Sequence, residues 1–225
     1  MKKFYPKDIQ KFKEANQKFA TITAYDYTSA KIINDISFPL VLVGDSASMV
    51  VYGYDDTTPI TMEEMLFVLR SVVRGASGPL IVADMPFLSY QPSLEEAIKN
   101  AGAFIKNGAN AVKLEGGKNH CEKIKALVDS GIPVMGHIGL MPQSINVTSG
   151  YKIQGKDEMG ANQIIQDALA VERAGAFSVV LEGIDKEVLH LWATKLNFPL
   201  MNLPFGVDFL IGVRGGCAAS DPNGK

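Results

Sequence analysis

The fold is decided by the stretch GANAVKLEG at residues 108–116, which returns as GAFSVVLEG at residues 175–183. Each copy begins with a glycine, continues as a run of mostly apolar residues without alternation, and ends in a glutamate. Such runs are typical of parallel strands that are buried on both faces. Because another unit of the same kind lies between the two copies, the pattern predicts a regular repeat of strands and helices.

Polar side chains end several of these apolar runs. The strand-end residues are Asp45, Asp84, Glu115, His137 and Glu182. In parallel α/β folds, ligands bind at the edge formed by the carboxyl ends of the strands. The sequence therefore predicts an enzyme whose site is assembled from strand ends.

Amphipathic helices alternate with the predicted strands. We expect strands at about residues 20–26, 38–45, 79–86, 111–116, 133–139, 177–183 and 199–205, and helices at 61–75, 93–108, 119–131, 157–175 and 185–196. Consecutive right-handed units favour a closed (β/α)8 TIM barrel over an open doubly wound sheet, and no GxGxxG turn follows the first strand. Gly75 and Gly108 are predicted left-handed C-caps.

The last βα unit of this barrel is expected to be altered or missing. We predict one barrel domain over residues 1–205 and a divergent tail over residues 206–225. Residues 208–213 are the only candidate for a makeshift eighth strand. A barrel left open would expose two sheet edges.

Composition and charge narrow the function class. The chain has 225 residues, of which 22 are basic and 24 acidic, and neither sign forms a block. This balance predicts no binding to nucleic acid or to a membrane surface. Cys121 and Cys217 lack metal-ligand spacing, and no signal peptide or long apolar span is evident. We therefore expect a cytoplasmic protein that acts on small molecules.

Six motifs, in order, resemble the ketopantoate hydroxymethyltransferase family. They are TAYD (23–26), VGDS (43–46), VADMPF (82–87), KLEGG (113–117), GHIGL with PQS (136–144) and GYKIQG (150–155). The resemblance implies a TIM barrel of the phosphoenolpyruvate/pyruvate type, bound Mg²⁺ and a homo-oligomer that is often a decamer. The implied reaction transfers a hydroxymethyl group from 5,10-methylenetetrahydrofolate to 3-methyl-2-oxobutanoate and gives ketopantoate, in pantothenate biosynthesis.

The acidic strand ends suit a magnesium site. Mg²⁺ prefers octahedral oxygen ligands and keeps waters that an α-keto acid can displace. Bound there, it would polarise the keto group and stabilise an enolate. The resemblance assigns Asp45, Asp84 and Glu115 to the metal.

The same resemblance assigns substrate binding to Ser46 and Lys113, and we expect Asp45, Asp84 and His137 to contact the substrate as well. Lys113 interrupts an apolar strand two residues before Glu115, so alternation points both side chains the same way. A lysine inside a barrel needs a charged partner. A structural salt bridge is the alternative role of this lysine.

Proton abstraction from C3 of the keto acid requires a base near that carbon. The resemblance assigns this role to Glu182. His137 competes by chemistry, because histidine titrates nearest to neutral pH. We expect His137 to bind substrate instead.

Two long loops, at residues 46–59 and 140–156, are predicted to cover the site. Two alternative functions stay open: a C-terminally truncated relative that is inactive or unstable, and a Mg²⁺-dependent lyase or mutase of the same superfamily. The chain has few arginines, which disfavours the lyase or mutase, because such an enzyme would need to hold a multiply anionic substrate. A Schiff-base aldolase that uses Lys113 is disfavoured, because a nearby carboxylate keeps the amine protonated.

Overall fold

The computed structural model describes residues 2–148, 150–188, 196–203 and 209–213. Within them, eight strands close into a barrel in the order in which they occur along the chain. They are β1 (Phe19–Thr23), β2 (Leu40–Val43), β3 (Leu80–Asp84), β4 (Ala111–Glu115), β5 (Val134–Gly139), β6 (Ser178–Glu182), β7 (Leu200–Leu203) and β8 (Phe209–Val213). The first seven pair in parallel. The predicted α/β barrel is confirmed.

The last strand departs from the regular pattern, because β8 runs antiparallel to both of its neighbours, β7 and β1. Only residues 204–208 join β7 to β8, whereas a parallel crossover needs about a dozen residues or more. A connection this short makes the chain reverse its direction. The altered last unit thus supplies an eighth strand, which lies within the predicted segment 208–213. This strand pairs with β7 and β1, the two sheet edges that would otherwise be exposed.

Helices surround the barrel. The described α-helices are α1 (Pro6–Glu14), α2 (Tyr27–Asp35), α3 (Ala47–Val50), α4 (Met62–Gly75), α5 (Leu94–Lys106), α6 (Cys121–Asp129), α7 (Ile145–Thr148) and α8 (Glu158–Arg173). Four of the predicted helices correspond to α4, α5, α6 and α8. Of the fifth, residues 186–188 are helical, and 189–195 lie outside the described residues. No helix in the described ranges has the length and apolar character needed to cross a lipid bilayer.

The two glycines predicted as C-caps have different roles. Gly108 is left-handed, with φ +102°, and this prediction is confirmed. For Gly75 the prediction is wrong, because the residue belongs to α4 and the C-cap is an extended Ala76. A Cβ on Gly75 would lie 2.5 Å from the carbonyl oxygen of Tyr27. Gly75 is therefore required by the close packing of α4 against α2.

The amino end of the barrel is filled by apolar side chains. Ile9 of α1 is fully buried there against Leu40, Leu80 and Ala111, the first residues of their strands. The helix α1 was not predicted, because its only buried residue is Ile9. Because apolar side chains and α1 fill the amino end, the polar strand-end residues lie at the opposite, carboxyl end of the barrel.

Alternation along the strands decides which side chains face the barrel interior. The interior cluster contains Leu80 and Val82 of β3, while Ile81 and Ala83 pack in the outer layer against the helices. Side chains two residues apart share a face. By this period Asp84 continues the inward row of β3, and Lys113 and Glu115 continue that of Ala111 in β4.

Candidate active site

Lys113 lies at the centre of the polar end of the barrel. Its ammonium nitrogen is 3.2 Å from Asp84 Oδ1 and 3.0 Å from His137 Nδ1. The strand register explains these contacts, because Lys113 is paired with Asp84 across β3 and β4, and Glu115 with His137 across β4 and β5. All four side chains are buried. The sequence-predicted residues of β3, β4 and β5 are therefore brought together.

Glu182 also lies next to this group. It is the last residue of β6, which pairs with β5 on the side opposite to β4. Its Oε2 is 3.2 Å from His137 Nε2, and its side chain is 13% exposed, against 3% for His137. Because the Lys113 ammonium can only donate, His137 Nδ1 must accept, and the ring proton belongs on Nε2, facing Glu182. His137 therefore has no free basic nitrogen in this arrangement, whereas Glu182 is accessible.

Asp45, Asp84 and Glu115 are the three residues predicted to bind the metal. In each of them, one carboxylate oxygen accepts a hydrogen bond from an N–H group. The backbone N–H of Asp45 donates to Asp84 Oδ2 over 3.1 Å, and the Gln143 side chain donates to Asp45 Oδ2 over 2.8 Å. The backbone N–H of Gln143 donates to Glu115 Oε2 over 3.0 Å. Among the residues described, Asp84 Oδ1 and Glu115 Oε1 are buried without a hydrogen-bond partner; the Lys113 contact of the former is an ion pair only.

Burial dominates the electrostatics of this site. It raises the pKa of Asp84 to about 7, where Lys113 opposes the rise and Asp45 adds to it. Burial and the Asp45 carboxylate also raise the pKa of Glu115 well above its usual range. For Lys113, burial lowers the pKa, but Asp84, Asp45 and Glu115 outweigh it and the net pKa is raised. The amine stays protonated, which disfavours the Schiff-base mechanism.

The donor set fits a divalent cation. Three acidic residues face one ammonium, and two buried oxygens lack a hydrogen bond, as expected where an ion would complete the shell. No three His, Cys, Asp or Glu side chains in the described part of the chain are arranged to hold one ion together. Mg²⁺ commonly uses one or two carboxylates with water and substrate oxygens. The assignment of Asp45, Asp84 and Glu115 as a set of three ligands stays a prediction.

Ser46 lies at the edge of the cluster, three residues after the end of β2. Its hydroxyl is 2.7 Å from the hydroxyl of Tyr25. A Cβ on Gly44 would be 2.7 Å from Ser46 Oγ, so a larger residue at position 44 would displace the Ser46 hydroxyl. Ser46 is half-buried and thus accessible to a bound molecule.

Sequence reasoning missed the roles of Gln143 and Tyr90. Gln143 is buried and contacts both Asp45 and Glu115. The Tyr90 hydroxyl lies 2.9 Å from the carbonyl oxygen of Glu115 and 3.0 Å from Gln143 Oε1. The PQS motif contained Gln143, but its targets lie on other strands, so no local pattern points to them.

Comparisons with known proteins identify the family of this chain. A profile of the family described as ketopantoate hydroxymethyltransferase matches residues 3–208. A Clostridium beijerinckii protein named 3-methyl-2-oxobutanoate hydroxymethyltransferase is 51% identical over 195 residues, which are 86% of this chain and 71% of that protein. A Thermosipho melanesiensis protein of the same name is 50% identical over 200 residues, covering 88% and 76%.

Solved structures with the same fold are more distant in sequence. Phosphonopyruvate hydrolase in complex with oxalate and Mg²⁺ has a TM-score of 0.67 at 15% identity, covering 89% of this chain and 72% of that one. A 2,3-dimethylmalate lyase of the PEP mutase/isocitrate lyase superfamily has a TM-score of 0.65 at 17% identity, covering 88% and 70%. These two likenesses concern the fold alone. From the family profile and the close relatives, this chain is an enzyme of the ketopantoate hydroxymethyltransferase family.

Proposed function

We propose that the protein transfers a hydroxymethyl group from 5,10-methylenetetrahydrofolate to 3-methyl-2-oxobutanoate and produces ketopantoate. The close relatives carry the name of this activity. The observation that carries the proposal is the chain of contacts from Asp84 through Lys113 and His137 to Glu182. It joins an acidic cluster, suited to a cation, to an accessible carboxylate on another strand.

Asp45 and Asp84 would hold Mg²⁺, with Glu115 as the third acidic residue of the site. The two buried oxygens without hydrogen bonds, Asp84 Oδ1 and Glu115 Oε1, support this assignment within the described residues. When bound, Mg²⁺ would polarise the keto oxygen of the substrate and stabilise negative charge on it.

Lys113 and Ser46 are proposed to bind the keto acid. The Lys113 ammonium is buried and stays charged, so it supplies a fixed positive charge for the substrate oxygens. The Ser46 hydroxyl is oriented by Tyr25 and can donate to the substrate carboxylate. His137, whose ring nitrogens lie 3.0 Å from the Lys113 ammonium and 3.2 Å from Glu182 Oε2, is proposed to bind the substrate beside them.

Glu182 is proposed to remove the C3 proton. His137 is the weaker candidate, because its Nδ1 accepts from Lys113, its Nε2 bears a proton, and burial lowers its pKa. After proton removal, C3 bonds to the methylene carbon delivered by the folate. The two bonds from this carbon to N5 and N10 of the folate break, and water supplies the hydroxyl oxygen. Tetrahydrofolate leaves with two more protons, which balance the one taken from C3 and one from the water. Tyr151, in the loop 140–156, lies close enough for Glu182 to raise its pKa, although burial is the larger cause.

The direct test is product formation. We expect ketopantoate from the purified protein incubated with 3-methyl-2-oxobutanoate, 5,10-methylenetetrahydrofolate and Mg²⁺, detected by mass spectrometry. A protein that melts cooperatively, and whose melting temperature rises with Mg²⁺ and the keto acid, yet forms no product, would contradict the proposal. Absence of a cooperative, ligand-raised transition would instead favour the unstable relative.

The role of Glu182 has a separate test. We expect Glu182→Gln to abolish exchange of the C3 proton of 3-methyl-2-oxobutanoate in deuterium oxide, followed by NMR without folate. Glu122→Gln is the matched control, because Glu122 is exposed on α6. Exchange that continues in Glu182→Gln at the rate of the unmodified protein would reject Glu182 as the base.

A further inference from the structure

Gln143 connects three strand ends that lie far apart in the sequence. It belongs to the 3-10 turn Pro142–Ser144, which follows β5 and opens the loop 140–156. Its side-chain amide donates to Asp45 Oδ2 over 2.8 Å and to the carbonyl oxygen of Met85 over 2.9 Å, after β2 and β3 respectively. Its backbone N–H donates to Glu115 Oε2, at the end of β4.

Both protons of this amide are used, and its oxygen lies within hydrogen-bonding distance of two donor groups. Both Nε2 protons are donated, and Oε1 lies 3.0 Å from the Tyr90 hydroxyl and 3.2 Å from Gln91 Nε2. A primary amide has two protons and two acceptor positions, so the side chain has one favourable orientation here. Gln143 is 5% exposed, and each lost bond would therefore leave a buried polar atom unpaired.

We infer that Gln143 is a positioning residue: it fixes the orientation of the Asp45 and Glu115 carboxylates for Mg²⁺ and links their geometry to the loop 140–156. The inference rests on the proposed function in its choice of Mg²⁺. Gln143 supplies two of the three N–H groups that hold one oxygen of each carboxylate, while Glu115 Oε1 is left to face a ligand. Partners of this kind orient metal ligands and tune metal affinity.

The linkage to the loop follows from the position of the residue. The backbone of Gln143 cannot leave the site without releasing both carboxylates, and it carries the start of the loop with it. If Mg²⁺ holds the carboxylates in place, it also holds this turn in place. Thermodynamic reciprocity then requires that a well-ordered turn raises the affinity for Mg²⁺.

The first test needs only the unmodified protein and Mg²⁺. We expect Mg²⁺ to slow hydrogen exchange of the backbone amides of residues 143–146 by about 5–150-fold, the range of typical coupling. Residues 94–106 of α5 are an internal reference and should not change. Equal exchange of the turn with and without Mg²⁺ would overturn the linkage.

The second test uses Gln143→Met, which keeps the length and the backbone N–H but removes the amide. We expect the dissociation constant for Mg²⁺, measured by calorimetry, to rise about 10–100-fold. Saturating Mg²⁺ should restore most of kcat, which a merely structural defect would not do. Gln166→Met is the control, because Gln166 is exposed on α8.

The outcomes separate this inference from the proposed function. Unchanged Mg²⁺ affinity in Gln143→Met, in a protein that forms ketopantoate, rejects the positioning role and leaves the function standing. If Gln143→Met binds Mg²⁺ more weakly and the unmodified protein forms no ketopantoate, the positioning role is supported and the proposed function is rejected. If Gln143→Met does not fold, the hydrogen-exchange test on the unmodified protein decides the linkage.

Discussion

Replacement of Lys113 by methionine should destabilise the metal-free protein strongly. The ammonium is buried, 3.2 Å from Asp84 Oδ1, with Asp45 and Glu115 also near enough to raise its pKa. At an effective dielectric constant of about 20, a pair at this distance attracts by roughly 5 kcal/mol. Removing one partner of a buried pair costs about 3–5 kcal/mol, because the remaining charge is left uncompensated.

The expected change in melting temperature is large for a protein of this size. A loss of about 3–5 kcal/mol corresponds to a fall of roughly 6–20 °C. The measurement is thermal and urea unfolding at pH 7 in the presence of EDTA. At pH 5 the loss should be smaller, because Asp84, whose pKa is raised to about 7, is already protonated at that pH in the unmodified protein, so removal of Lys113 leaves no uncompensated Asp84 charge.

The matched control is Lys125→Met. Lys125 forms an ion pair of 2.9 Å with Asp129 on α6, but both side chains are more than 60% exposed. Exposed pairs on a helix contribute only about 0.3–0.5 kcal/mol. If both variants lose the same stability, the argument that burial makes Lys113 indispensable to the folded site is wrong.

Two further predictions concern packing and pH. Gly102→Ala in α5 should raise the unfolding free energy by about 0.5–1 kcal/mol, because nothing lies within 4 Å of the new Cβ, whereas Gly75→Ala should lower it through the contact with the Tyr27 carbonyl oxygen. Urea unfolding measures both, and the same sign for the two would contradict the packing argument. In EDTA, stability should fall as pH rises from about 4 to about 7, because the folded protein keeps the Asp84 proton that the unfolded chain, with a pKa near 3.8, releases. Stability that rises with pH over this window would show that Asp84 does not carry the raised pKa.

Much of the barrel could be predicted from short segments. The run ending at Glu115 is continuous and apolar apart from Lys113, and the structure places β4 there at Ala111–Glu115. The helix α4 begins after Thr61, whose side chain and that of Glu64 cap each other as the local spacing predicts. These features depend on residues close together in the chain, so local sequence contains the necessary information.

Other features depended on contacts that no local pattern encodes. The left-handed cap predicted at Gly75 failed, because packing of α4 on α2 decides that position. The direction of β8 follows from the length of its connection and from the edge strands it meets. Gln143 and Asp45 are 98 positions apart, and only the closed barrel brings them within hydrogen-bonding distance.

The sequence by itself determined the order of the first seven strands and the rows of side chains that end in Asp84, Glu115 and Glu182, because side chains alternate along a strand with a fixed period. Only the tertiary structure decided which atoms of these groups meet. The burial that raises the pKa of Asp84, and the lysine contact that places the His137 proton on Nε2, arise where several strands exclude water at one point. Such desolvation is a property of the assembled barrel and of no single segment.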